Sequence, residues 1–313
     1  MSVALFVLLA IVVLLIVSGG YVFVLGCVRR KELSWFDEEK LKNTPYEKFY
    51  PYICDTDRWL KDHEAQDIFI QSEDGLKLHG LWVPAQSPKG TVLLVHGYRS
   101  TIYVEFHVAV AYFHELGFNL LIPDQRSHGQ SEGQYITFGV KESDDMQRWI
   151  AYHNKTFGNY PMVMFGISMG ASTILYLADQ KLPDNIRGII ADCGFTSPKD
   201  ILSSVFKNVT HLPAGPSIWV TEWFARVFAG FSLQQKDTRK ALSASRYPVL
   251  MIHGTGDAFV PCEMTKQGYD ACTGEKALLL VEGAEHGYSV IRDPERYAET
   301  VEKFIKTHVE GFE

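Results

Sequence analysis

Apolar positions fall along this chain in two kinds of block. Thr91–Val95, Phe118–Pro123, Met162–Phe165, Arg187–Ala191, Pro248–Ile252 and Ala277–Val281 are short, nearly continuous apolar runs, as strands buried on both faces require. Between them, Val104–Leu116, Val140–Lys155, Ala171–Ala178 and Glu263–Ala271 carry apolar residues at helical spacing. Upstream, Asp67–Ser72 and Lys77–Val83 flank the turn residues Asp74-Gly75 and read as a β-hairpin. Strand alternating with helix predicts an α/β fold: a mostly parallel central sheet with helices on both faces and the hairpin as an antiparallel N-terminal edge.

Two segments depart from that alternation. Val3 to Leu25 is almost wholly apolar, and no charged side chain precedes Arg29. Roughly twenty residues at 1.5 Å each cross a hydrocarbon core of about 30 Å, so this run is expected to form a membrane-spanning helix. Gly19-Gly20 is a candidate kink, which helices in lipid tolerate. A cleaved signal peptide would need a basic n-region and a shorter apolar run. Val24-Leu25-Gly26-Cys27 has the outline of a bacterial lipidation site but lacks the same n-region, and Cys27 is also a candidate for acylation at the membrane edge. The basic residues Arg29-Arg30-Lys31 follow the run, which predicts a single-pass protein with the larger part on the cytoplasmic face. The second segment, between the strands ending at Ala191 and starting at Pro248, is far longer than an ordinary crossover. Helix signals occur there at Pro198–Asn208, with Ser197 as N-cap, and at Ser217–Phe231. The segment is expected to rise as a cap beside the sheet's carboxyl edge, with Trp219 and Trp223 as candidate pocket residues; the alternative is a helix packed on the sheet. The expected layout is an anchor at 1–28, a charged-aromatic connector at 29–60, and the main α/β domain at 61–313 with an insertion at about 195–240.

The chemistry sits where strands end. Gly166-Ile167-Ser168-Met169-Gly170 joins the strand ending at Phe165 to the helix that follows. Glycines on either side permit a turn too tight for side chains and push the serine hydroxyl out, so Ser168 is the candidate nucleophile. A nucleophilic serine needs a base, and the base needs an acid to hold its tautomer. Asp257 follows the strand at Pro248–Ile252, and His286 follows the strand at Ala277–Val281. Both lie just past carboxyl ends of strands, where open parallel sheets bind ligands. His286 is therefore the expected base and Asp257 the orienting acid. His253 and His308 are the rival histidines: the first opens the turn that delivers Asp257, and the second lies in a terminal helix. Asp192, at the end of another strand, is the competing acid. The oxyanion calls for two backbone N–H donors: Met169, after the nucleophile, and Tyr98, in the loop His96-Gly97-Tyr98 after an early strand. His96 reads as a structural residue of that loop.

These residues carry a resemblance to a family. Asp74-Gly75-Leu76-Lys77-Leu78-His79-Gly80, His96-Gly97-Tyr98, residues 123–133 (Pro123 to Gly133), the run Gly166–Gly170, Gly254–Asp257 and Glu285-His286-Gly287 are together similar to the α/β-hydrolases of the serine-esterase type, in particular to membrane-anchored bacterial ones. The resemblance covers roughly residues 60 to 310 and implies the cap as well as the catalytic machinery. The loop at His96 departs from the His-Gly-Gly-Gly form of many lipases and esterases, and Ser127 stands where many relatives have glycine or alanine. The reaction expected is hydrolysis of a carboxylic ester, acyl-lipid esters included, through an acyl-enzyme and without a cofactor. Amide, peptide or thioester cleavage would use the same groups, and a non-catalytic membrane-anchored binding protein is the reading of a different class.

Composition narrows the field. The 313 residues are 46% hydrophobic, enough for one large core. A net charge of −7 without a basic stripe points away from nucleic acid. The metal motifs Cys-x-x-Cys and His-Glu-x-x-His do not occur. Five cysteines form no disulfide framework and suit a reducing compartment. Asn154-Lys155-Thr156 and Asn208-Val209-Thr210 match glycosylation sequons, which arise often by chance.

Overall fold

The computed structural model describes residues 2–31, 33–44 and 46–309. Its eight strands are β1 (Gln66–Gln71), β2 (Lys77–Val83), β3 (Gly90–Val95), β4 (Phe118–Pro123), β5 (Met162–Ile167), β6 (Ile186–Asp192), β7 (Val249–Gly254) and β8 (Lys276–Val281). They form one sheet in the order β1-β2-β4-β3-β5-β6-β7-β8. The pairs β1–β2 and β2–β4 are antiparallel, and every other pair is parallel. This is the mostly parallel sheet with an antiparallel N-terminal edge that the sequence pattern implied, in the α/β-hydrolase form that the resemblance implied.

The helices are α1 (Val3–Cys27), α2 (Glu38–Leu41), α3 (Tyr50–Asp62), α4 (Ile102–Glu105), α5 (Ala109–Glu115), α6 (Val140–Thr156), α7 (Met169–Leu175), α8 (Pro198–Thr210), α9 (Gly215–Phe224), α10 (Thr238–Leu242), α11 (Cys262–Ala271), α12 (Ser289–Arg292) and α13 (Pro294–His308). Side chains of the central strands alternate between two cores: Val92 and Leu94 pack with Phe113, Phe165 and Phe304 on one face, and Leu93 and Val95 pack with Trp149, Ile174 and Met251 on the other. That two-sided burial is why the strands read as continuous apolar runs. The expected helix at Val104–Leu116 is two pieces, α4 and α5, broken around Phe106. The helix expected at Ser217–Phe231 is α9 continued by a π-helical turn, Ala225–Ala229.

The connector holds more structure than its composition announced. Helix α3 buries Ile53, which packs with Trp35, Leu41 and Val104 in a small separate core. Residues 195–240 rise beside the carboxyl edge of the sheet, and α8, α9 and the end of α1 share a third core with Phe138, Met169 and Phe195. Helix α1 is long and apolar enough to cross a membrane. Its last third runs beside α9: the Ser18 and Ser217 hydroxyls are 2.9 Å apart, and the Thr221 hydroxyl donates to the Gly19 carbonyl. A Cβ on Gly19 would lie 2.4 Å from Val220 Cβ. Gly19 is thus a close-contact residue, the small-residue packing by which helices in lipid approach. Cys27 is fully buried in the third core, so its thiol is not presented for acylation.

Candidate active site

Ser168 sits between β5 and α7 with φ 55° and ψ −116°, a left-handed backbone that a serine holds only where the surroundings enforce it. The two glycines explain how. A Cβ on Gly166 would come 2.6 Å from the carbonyl carbon of Gly170, and one on Gly170 would come 1.8 Å from the Val95 carbonyl oxygen. Neither position admits a side chain, so the strand and the helix close tightly under the serine.

The structure brings Ser168, His286 and Asp257 together. His286 Nε2 lies 2.9 Å from Ser168 Oγ, and His286 Nδ1 lies 2.6 Å from Asp257 Oδ2. The other Asp257 oxygen accepts the Phe259 and Val260 amides, each at 2.8 Å. His253 is the group behind Asp257: its Nε2 is 3.1 Å from Asp257 Oδ2, and its Nδ1 is 2.6 Å from the Thr265 hydroxyl. Burial opposes ionisation of Asp257, but hydrogen bonds from His253, His286 and the Val260 amide hold its carboxyl well below the usual range. Asp192, the competing acid, has other partners. It accepts from Ser289 at 3.3 Å and from Tyr297 at 3.2 Å, and burial raises its pKa. His308 lies at 3.5 Å from Glu275, at the end of α13.

Two amides are left open beside Ser168. Neither the Tyr98 nor the Met169 N–H donates to an acceptor among the described residues, and Met169 opens α7. The Tyr98 loop is supported from below. His96 Nε2 accepts the Gln125 amide at 3.0 Å, and His128 Nε2 accepts the Arg99 amide at 3.0 Å. Arg126 beside them forks onto Asp145, at 2.6 and 2.7 Å, and reaches Asp74 at 2.9 Å. His79 bridges Asp124 and Asp67 at 2.7 and 2.8 Å. The motif residues in the hairpin and after β4 therefore build the platform of the Tyr98 loop and do not reach Ser168.

Two cavities meet at Ser168, Tyr98 and Phe259. One, of about 350 Å³, is almost entirely apolar and is walled by Phe195, Leu202, Phe206 and the end of α1. The other, of about 340 Å³, is more polar and is lined by Arg99, Glu105, His107, His286 and Tyr288. Trp219 and Trp223, expected in the pocket, line neither cavity and are 74% and 53% exposed. The reason is helical phase: Ser217, Val220, Thr221 and Phe224 face α1, so the tryptophans fall on the opposite side of α9. Nothing in the sequence told the pocket-side residues of α8 and α1 from ordinary core, because the cavity exists only where the two helices meet.

Cys193, Asp257 and His286 bring ligand-type atoms within 4.8 Å of one another. Burial raises the pKa of the Cys193 thiol, Asp257 and His286 bond each other, and His286 bonds Ser168, so two of the three groups are already engaged in the relay.

A family model described as "Serine aminopeptidase, S33" matches residues 86–212. The chain is 29% identical over 246 residues to the uncharacterized Bacillus subtilis protein YqkD, covering 77% of this chain and 79% of that one. An uncharacterized membrane protein of Saccharomyces cerevisiae is 22% identical over 232 residues, 73% of this chain and 75% of that one. Among solved structures, an esterase of Pyrococcus furiosus superposes with a TM-score of 0.63 at 24% identity, covering 80% of this chain and 96% of that one. An acylaminoacyl peptidase of Pyrococcus horikoshii gives 0.59 at 15%, covering 80% and 42%. With the sheet order above, these likenesses give the chain the α/β-hydrolase fold, and residues 86–212 are similar to a family of serine hydrolases.

Proposed function

We propose that this protein cleaves carboxylic esters through an acyl-enzyme on Ser168. His286 Nε2 takes the Ser168 proton as Oγ attacks the ester carbonyl, while Asp257 holds the other ring nitrogen as N–H and stabilises the imidazolium. The Tyr98 and Met169 amides receive the oxyanion. His286 then returns the proton to the departing alcohol and activates the water that releases the acid. The observation that carries this reading is the unbroken relay from Asp257 through His286 to Ser168, at 2.6 and 2.9 Å, beside two amides that have no acceptor among the described residues. A fluorophosphonate probe tests it: the wild-type serine should be labelled and Ser168→Ala should not. A wild-type protein that stays unlabelled would leave the fold as a binding scaffold.

Residues 3–25 anchor the protein in a membrane, and Arg29, Arg30 and Lys31 favour a cytoplasmic catalytic domain. Protease added to spheroplasts should spare the chain beyond Lys31; digestion without lysis reverses the orientation. One observation favours a second reading, amide cleavage at a free amino terminus. Glu105 lines the polar cavity with His286, where its carboxyl would face a substrate ammonium. An aminoacyl amide turned over faster than the matching ester would establish it.

A further inference from the structure

Helix α1 has more to do with the active site than a tether needs. Five of its residues, Ser18, Tyr21, Val22, Leu25 and Gly26, line the apolar cavity whose inner end is Ser168. Its last carbonyls are gripped by the Tyr98 loop: the Tyr98 hydroxyl donates to the Gly26 carbonyl at 2.9 Å, and the Arg99 guanidinium donates to Leu25 and Val28 at 2.8 and 2.9 Å. A Cβ on Gly26 would stand 3.2 Å from Leu202 across the cavity wall. The helix is fixed to the site at both the loop and the cap.

Depth in the bilayer follows from length. Residues 3–17 stand almost clear of the protein and reach roughly 22 Å at about 1.5 Å per residue. A hydrocarbon core is about 30 Å thick, so it extends over the turns from Ser18 onward, where α1 already packs on α9. A Cβ on Gly19 would meet Val220 and one on Gly20 would meet Phe224, which sets Trp219 and Trp223 at the same depth. Exposed tryptophans are what a membrane–water interface accommodates. The most exposed large apolar residues of the cavity's lining, Tyr21, Val209 and Leu212, mark its mouth at that level; they are 63%, 74% and 60% exposed. An apolar mouth there opens toward lipid.

We infer that α1 is a wall of the acyl pocket and that the substrate is a membrane-resident ester lipid, whose acyl chain passes from the leaflet between α1 and α8 to Ser168. This rests on Ser168 being the nucleophile and α1 a membrane span. The chain never crosses water, so a long acyl group enters without first leaving the bilayer.

The full-length protein in phosphatidylcholine vesicles tests this in two ways. Val22→Trp fills the wall, and Val13→Trp changes the protruding part of the same helix. Val22→Trp should lower the palmitoyl-to-acetyl ratio of kcat/KM by about tenfold or more; Val13→Trp should leave that ratio unchanged. Equal loss on both esters, or no loss on either, overturns the wall. The second arm needs no turnover. In Ser168→Ala, a palmitoyl ester with a diazirine at its tail should crosslink to residues 18–26 and 205–212. Crosslinks confined to the outer face of α9 overturn the inference. A wild-type protein that hydrolyses neither ester and ignores the fluorophosphonate sinks the hydrolase reading instead, while the crosslinks still decide the wall.

Discussion

The two cavities at Ser168 are nearly equal in size, about 350 and 340 Å³, and unlike in almost everything else. Both lie toward the small end of ordinary ligand pockets. The first is built by the cap helices and α1, with aliphatic and aromatic walls. The second is built by the Tyr98 loop, the connector and the turn after His286, and it carries Arg99, Glu105, His107 and Tyr288. They touch only at Ser168, Tyr98 and Phe259. An ester has two ends, one acyl and one alcohol, and the serine attacks the carbon between them. Under the ester hydrolysis proposed above, a site split this way would sort the ends by chemistry: acyl chain to the apolar side, alcohol to the polar side.

The largest effects should come from the junction itself. Ser168→Ala and His286→Ala should each lower kcat by about 10⁶-fold, measured with a short and a long ester so that both cavities are read. Losses that differ between the two esters would mean that the cavities do not share one reacting centre. Asp257→Asn should cost less, about 10⁴-fold, because His286 loses its orienting partner but stays a base. Asp192→Asn should change kcat by only a few fold, since its partners are Ser289 and Tyr297; its cost should appear in Tm. A dead Asp192→Asn beside an active Asp257→Asn would reverse the assignment of the acid.

Single-cavity variants should split the ester. Val205→Trp, in the apolar cavity, should lower kcat/KM for long acyl chains by about tenfold at constant alcohol. Tyr288→Ala, in the polar cavity, should raise it several-fold for bulky alcohols at constant acyl chain, by roughly the amount one pocket contact contributes. If either variant alters the preference at the other end, the two sides are one pocket. The last effect is on stability against pH rather than on turnover. Burial pushes His128 from 6.5 down to about 3, and its neutral ring holds the Arg99 amide on the polar side. The unfolded chain takes up a proton that the fold excludes. Stability is therefore complete above about pH 6.5 and falls toward pH 3, by up to about 1.4 kcal/mol per unit. Thermal melts of His128→Asn should show a shallower acid slope than wild type; an equal slope would assign the loss to other groups.

The junction was legible in the sequence and the cavities were not. Gly166, Ser168 and Gly170 announce themselves because their constraint is local: adjacent backbone atoms leave no room for a Cβ. Asp257 and His286 follow strand ends that apolar runs mark plainly. The pocket depends instead on how α1 meets α8 and α9 across some two hundred residues of chain, and no periodicity records such a meeting. Trp219 and Trp223 drew notice as large aromatics, yet the face that matters on α9 is the one with Ser217 and Thr221, whose small size lets α1 approach. The small core of the connector was not legible for a related reason. Ile53 and Leu41 bury themselves in a core of their own, too small to leave a long apolar pattern.

The account stands on a covalent intermediate at Ser168. The full-length protein should be mixed with a p-nitrophenyl ester, quenched in acid within the first turnovers, digested and mapped by mass spectrometry. One acyl group should appear on the peptide that carries Ser168, formed no more slowly than nitrophenol accumulates at steady state and absent from Ser168→Ala. Steady hydrolysis without that adduct, or an adduct on another residue that survives Ser168→Ala, would contradict it.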